Sequence, residues 1–123
     1  MAKVHVVFSI KSEESSTSFE TKGILHDNTL RFYDDKVKHH IAFNEDSIRY
    51  LKTSDVALDF LFEKGKTHQG TYAYAGRTMV LDVKTAQLIH EMHHIELVYD
   101  VLSDNTVINH VQLTIDYVPM EEV

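Results

Sequence analysis

Histidine is the residue type in this sequence that invites a test for metal chemistry. Nine histidines occur among 123 residues, and some are adjacent, as in His39-His40 and His93-His94. Imidazole nitrogens are common metal ligands and titrate near neutral pH. Neighbouring side chains of a strand point to opposite faces, so both pairs are split, and His90 joins His94 only if one strand runs through both. The pattern favours surface histidines, and we expect neither a metal nor another cofactor.

Recognisable catalytic signatures are missing. There is no G-x-S-x-G elbow and no glycine-rich phosphate loop, and the segment His90 to His94 has only a superficial likeness to H-E-x-x-H, because no helix is predicted there. Carboxylate pairs such as Asp34-Asp35 fall in predicted turns, where solvated charge is ordinary. The sequence has no cysteine, which excludes disulfides and thiolate nucleophiles. We therefore expect a protein that is not an enzyme.

Strand parity places a few polar side chains on faces that are otherwise apolar. These are His39, His93 and Asn109, with Tyr99 and Tyr117 beside them. Polar groups on a buried face cost free energy unless they are paired or wetted. Either they line a cavity and orient a ligand, or they are satisfied by each other, by the backbone or by buried water.

The three arginines offer a second kind of ligand contact. An interior arginine beside a tyrosine can hold a carboxylate by two parallel hydrogen bonds. Arg31 and Arg49 alternate with apolar neighbours and are predicted to face outward, whereas Arg77 follows Gly76 at a strand entrance and fits either side. The predicted ligand-binding residues are therefore His39, His93, Asn109, Tyr99, Tyr117 and Arg77.

Strands must position all of these side chains. The C-terminal third shows the two-residue period best, with one apolar face formed by Val107, Val111, Leu113, Ile115 and Tyr117. Links of two to four polar residues separate about ten such segments. Gly23 suggests a bulge or bend, and 68–74 and 86–92 are the segments most open to a helical alternative. The predicted strands cover 4–12, 17–25, 29–33, 36–43, 47–52, 56–63, 67–73, 77–90, 93–102 and 106–118.

Consecutive strands with hairpin links pair antiparallel with their sequence neighbours. A meander of eight to ten strands leaves two exposed edges unless it closes on itself, so an all-β, antiparallel up-and-down barrel is favoured, with a sandwich as the alternative. A barrel of this size is just filled by side chains or holds one small ligand. We expect residues 1–123 to form this single domain.

Net charge and hydropathy limit which classes of partner the protein is expected to have. Twelve basic against nineteen acidic residues leave a net charge of −7, so nucleic acid and anionic membranes are repelled on average. No stretch has the length of a membrane-spanning helix, and the N-terminus lacks a signal-peptide core. We expect a soluble, cytoplasmic protein without nucleic-acid or membrane partners.

Several segments resemble a known family. They are Phe8 to Ser12, Phe19 to Gly23, Val83 to Ile89, Ile95 to Tyr99 and Leu113 to Tyr117. Together they are similar to the YwiB-like proteins, small bacterial cytoplasmic proteins of no established activity. The resemblance implies a calycin-like, lipocalin-type barrel and supplies no functional residues. The paired histidines are not part of the family pattern.

Two functions compete at this level. The first is non-enzymatic binding of a small, largely apolar ligand inside or at the mouth of the barrel. An interior without a pocket of roughly 300 Å³ would count against it. The second is a protein-interaction module or homodimer that works through an outer strand face. Its motivation is a set of outward apolar residues, Val7, Leu61, Val80 and Val98.

Overall fold

Ten strands make up the computed structural model, which describes residues 1–120. No helix in that part of the chain is long and apolar enough to cross a membrane. The strands are β1 (Ala2–Ser12), β2 (Ser16–His26), β3 (Thr29–Asp34), β4 (Val37–Phe43), β5 (Ser47–Thr53), β6 (Val56–Glu63), β7 (Thr67–Tyr74), β8 (Arg77–Glu91), β9 (His94–Ser103) and β10 (Thr106–Pro119).

The sheet closes into a barrel in which each strand pairs antiparallel with its sequence neighbours and β1 also pairs with β10. At the closure Phe8 lies between Phe19 of β2 and Ile115 of β10. The predicted up-and-down barrel is confirmed, and every predicted strand end lies within two residues of the observed one. The sandwich alternative is wrong, as is the helical alternative for 68–74 and 86–92.

The core fills the barrel with the inward half of each strand, and buried glycines of β2 and β7 complete its wall. A Cβ on Gly23 would lie 2.9 Å from the Arg31 carbonyl oxygen, and one on Gly70 would lie 2.5 Å from Cδ1 of Phe60. Of the bulge or bend suggested at Gly23, the bulge is wrong, since its pairing with Val4 and Phe32 shows no register shift. Glycine is needed there for close approach.

Register breaks occur instead in β8 and β10. Pairing shifts between Thr85 and Gln87 and between Val107 and Asn109. An extra residue in one strand reverses the parity that follows it. Val107, predicted to face inward, therefore pairs with the outward Leu102 and is 53% exposed.

Unequal strand lengths shape the two ends of the barrel. We call the end that carries the hairpin turns after β1, β3, β5, β7 and β9 the upper end, and the other the lower end. β2 pairs with β3 only from Gly23 to His26, so Ser16–Lys22 have no partner strand on that side. This leaves a notch in the upper wall between β2 and the β3–β4 hairpin, which we call the β2–β3 notch.

Candidate functional site at the upper end of the barrel

His39 is the centre of an aromatic cluster inside the barrel. It comes from β4 and is only 3% exposed. Its ring stacks on Phe32, with 4.6 Å between ring centroids, and contacts Phe8 and Phe19 at 5.3 and 5.6 Å. These rings come from β3, β1 and β2, so the curvature of four consecutive strands assembles the cluster.

A short hydrogen bond joins His39 to the neighbouring strand. Its Nδ1 lies 2.6 Å from the Tyr50 hydroxyl oxygen. Burial, with a smaller effect of Lys52, lowers the pKa of His39 to about 4, so the imidazole is neutral near pH 7. Burial, with Tyr99 adding to it, raises the pKa of Tyr50, whose hydroxyl keeps its proton. A buried hydroxyl needs an acceptor, so Tyr50 donates to Nδ1 and the His39 proton resides on Nε2.

The Nε2–H of His39 is a buried donor without an acceptor among the described residues. The Thr85 hydroxyl oxygen is the other buried side-chain polar atom in that state. Leaving such a group unpaired costs about 1–3 kcal/mol, so native proteins keep few of them. His39 is also one of the residues that line a cavity, although Nε2 itself has almost no accessible surface.

The cavity lies beneath the upper end, next to the β2–β3 notch. It has a volume of about 150 Å³, with Phe8, Phe19 and Leu58 among its apolar walls and Lys52 and Asp34 among its polar groups. The pocket of roughly 300 Å³ whose absence counts against ligand binding is not present in the interior formed by residues 1–120, because Phe60, Phe62 and Leu97 fill the middle of the barrel. The cavity of about 150 Å³ suits a molecule of roughly benzene dimensions and excludes an enclosed fatty acid.

The six predicted site residues do not form one site. His39 and Tyr99 line the upper cavity. Arg77 and Asn109 occupy inward register positions, opposite Tyr74 and Val101, but both lie exposed at the upper rim and neither lines the cavity. The inner, buried position predicted for Asn109 is wrong, because β10 extends past β1 there. Arg77, for which either side was left open, is exposed where β8 extends past β9.

His93 and Tyr117 lie at the lower end instead. His93 was predicted on an inner strand face, but it occupies the β8–β9 turn with a φ of 64°. Its ring meets the Tyr117 ring edge-on at 5.6 Å, and its carbonyl accepts the Tyr117 N–H. The Tyr117 hydroxyl lies 2.8 Å from Nε2 of His90, whose pKa is lowered by burial. This second pair lies across the packed core from His39.

Sequence reasoning did not include Tyr50 or Lys52 among the site residues. Both follow from the β4–β5 hairpin, in which Ile41 pairs with Tyr50 and His39 with Lys52. Parity already placed Tyr50 beside Ile48 on the inner face. The missing information was the register of the hairpin, which sets Tyr50 and Lys52 next to His39.

The other histidines are dispersed. His90 faces inward at the lower rim, whereas His94 is on the outer wall, where Nδ1 lies 2.6 Å from an Asp116 carboxylate oxygen and Nε2 3.6 Å from Glu96. The hydrogen bond to Asp116 raises the pKa of His94. Across residues 1–120 no three histidine, aspartate or glutamate side chains converge as a metal site would require.

The fold and this site define a small closed β-barrel protein with an internal cavity lined by aromatic side chains and a few polar ones. The chain belongs to the family described as Domain of unknown function (DUF1934), whose model matches residues 3–115. Its structure is similar to the crystal structure of the ywiB protein from Bacillus subtilis, with a TM-score of 0.73 and 18% identity over 97% of this chain and 91% of that chain. At that identity the similarity supports the fold, and the YwiB-like resemblance is confirmed. No curated protein matches the sequence.

Proposed function

We propose that the protein binds a small, largely apolar ligand in the upper cavity, through a hydrogen bond from His39. The observation that carries the proposal is the buried Nε2–H, which has no acceptor among the described residues and belongs to a residue lining a cavity of about 150 Å³. Largely apolar walls with a few polar groups are typical of small-molecule sites.

The surroundings narrow the chemistry of the ligand. Phe8 and Phe19, which line the cavity beside His39, favour a flat apolar body. The Nε2–H requires an acceptor, such as a carbonyl or carboxylate oxygen, and because the cavity wall carries both the Lys52 ammonium and the Asp34 carboxylate, its charge does not select between a neutral and an anionic ligand. The neutral His39 and the protonated Tyr50 provide recognition without an activated nucleophile, so we propose a binding protein and not an enzyme.

Titrations followed by NMR with benzoate, benzamide and toluene test this proposal. We expect benzoate and benzamide to bind the wild type about tenfold more tightly than toluene, which is the worth of one hydrogen bond of about 1.4 kcal/mol. His39→Phe removes the donor and should abolish that preference. His40→Phe is the matched control, because the next side chain along β4 points to the outer wall. Equal effects of the two variants, or no binding by any probe, would refute the proposal.

A homodimer that forms through an outer surface is the second candidate function. Of the outward residues Val7, Leu61, Val80 and Val98, Val80 is the one with a mostly exposed side chain, at 61%. It lies with Met79 where β8 projects beyond β9, near exposed Val107 and Ile108 of β10. Light scattering of wild type and Val80→Asp would test it: a monomer at high wild-type concentration removes this candidate.

We also propose that the protein acts in the cytoplasm. The absence of cysteine is compatible with a reducing compartment, and the family resemblance points the same way. Fractionation of cells that produce the native chain would show it in the cytoplasmic fraction. Recovery in an extracellular or membrane fraction would contradict this location.

A further inference from the structure

The outer wall carries a groove that is separate from the upper cavity. It lies where β2 meets β3, on the outward side of β1 to β4, and has a volume of about 540 Å³. Ile24 and Tyr33, 43% and 57% exposed, contribute its apolar surface together with Met120. This volume is within the usual range for small-molecule sites.

Positive charge dominates the rim of this groove. Lys3, Lys22, Arg31 and Lys38 each come from a different strand, β1 to β4 in order, and the lining includes no carboxylate among the described residues. This is unusual in a chain with 19 acidic and 12 basic residues. One third of all the lysine and arginine side chains therefore gather around one groove.

These four cations also lack ion-pair partners in residues 1–120. Other cations of the chain do have them, as in the Arg49–Asp59 pair at 2.7 Å and the Lys66–Glu63 pair at 2.7 Å. Like charges held near one another repel, and an anion placed between them would relieve that repulsion. The groove thus offers an unneutralised cationic rim around an apolar floor.

A neighbouring histidine reports the same electrostatic environment. His40 is on the outer wall, paired across the sheet with Arg31. Its pKa is lowered first by desolvation and then by the charges of Arg31, Lys38 and Arg49. The downward direction of this pKa shift is the one that the positive charges of Arg31 and Lys38 at the groove would cause.

We propose that this groove binds a small amphiphilic anion, with a carboxylate or phosphate head group held by the four cations and an apolar chain on Ile24 and Tyr33. Charge complementarity identifies the head group, and the exposed apolar floor identifies the body. The inference does not depend on the function proposed for the upper cavity, since the groove is on the opposite side of the barrel wall.

NMR titrations with octanoate, octyl phosphate and octyltrimethylammonium, each below its micelle concentration, test this inference. We expect both anions to shift the amide signals of Ile24, Arg31 and Tyr33, and the cation to leave them unchanged. The double variant K22E/R31E should bind octanoate about tenfold more weakly or worse. K11E/K84E makes the same change of net charge on exposed residues outside the groove and should bind as the wild type does.

Salt dependence gives a test of the cationic head-group site that needs no variant. Raising the salt concentration should weaken octanoate binding to the wild type, so the inference can be tested even if K22E/R31E does not fold. Removal of residues 121–123, which include Glu121 and Glu122 next to Met120 in the sequence, should leave the affinity for octanoate unchanged or increase it.

His39→Phe should have no effect on octanoate binding, so the proposals for the groove and for the upper cavity can fail independently. Equal binding of the cationic probe, equal loss in the control pair, or loss on truncation would overturn the inference.

Discussion

At the residue scale, the hydrogen bond between His39 and Tyr50 determines which polar atom of the imidazole remains free to bind a ligand. His39 and Tyr50 satisfy one another through Nδ1 and the hydroxyl, and that bond fixes the remaining imidazole proton on Nε2. Parity in the sequence identified His39 as an inward residue. It did not identify its partner or the unpaired donor, because both depend on the register of β5 against β4.

Replacement of Tyr50 by phenylalanine tests the hydrogen bond at this scale. The change leaves Nδ1 of His39 as a buried acceptor without a partner, so we expect the free energy of unfolding to fall by about 1–3 kcal/mol. Urea denaturation measures it. Tyr74→Phe, at a side chain 58% exposed, is the control and should lie within about 0.5 kcal/mol of wild type. Similar losses in both variants would contradict the assignment.

Two histidines should make opposite contributions to the pH dependence of stability. Because the folded-state pKa of His39 is about 4, the unfolded chain binds a proton below pH 6.5 that the folded protein does not. His39 therefore lowers stability as the pH falls from 6.5 towards 4, by up to about 1.4 kcal/mol per pH unit. His94, whose pKa is raised by Asp116, contributes stability below pH 6.5 that is lost as the pH rises through its folded-state pKa.

Urea denaturation between pH 4.5 and 8 separates the two contributions. His39→Phe should lose less stability on acidification than wild type, and His94→Gln should lose less on alkalinisation. A His39→Phe variant with the wild-type slope below pH 6.5 would show that the imidazole is not buried in its neutral form.

The strands could be predicted almost completely, because each depends on local signals. Alternating side chains set the extended segments, and short polar turns such as Asp104-Asn105, both with positive φ, end them. The register breaks near Ala86 and Ile108 could not be predicted, since they depend on which residues of β9 lie opposite. The break near Ile108 is why the predicted burial of Val107 was wrong.

Gly70 tests how tightly the elements pack. An added Cβ would lie 2.5 Å from Cδ1 of Phe60 and 2.9 Å from the carbonyl oxygen of Asp59, and the latter is backbone that cannot move aside. We expect Gly70→Ala to lower the free energy of unfolding by about 1–3 kcal/mol. Thr71→Ala, on the exposed side of the same strand, is the control. A stability for Gly70→Ala equal to that of the control would mean that β6 and β7 are farther apart.

At the scale of the whole molecule, the four consecutive strands β1 to β4 contribute to both candidate sites. Joining β1 to β10 encloses the core, the curvature of β1 to β4 brings Phe8 and Phe19 to His39, and the short β3 leaves the notch beside the cavity. The outward faces of β1 to β4, which are consecutive strands of the sheet, place Lys3, Lys22, Arg31 and Lys38 around the outer groove. Neither site appears as a cluster in the sequence, because each combines residues from several strands.

Selective ¹⁵N labelling of histidine offers the most direct test of binding in the upper cavity. We predict that His39 gives the resonances of a neutral imidazole protonated at Nε2 at pH 7, and that this Nε2–H signal shifts on addition of benzoate while that of exposed His5 does not. A His39 that carries its proton on Nδ1, or whose Nε2–H signal stays unchanged when benzoate is in excess, would contradict the proposed site.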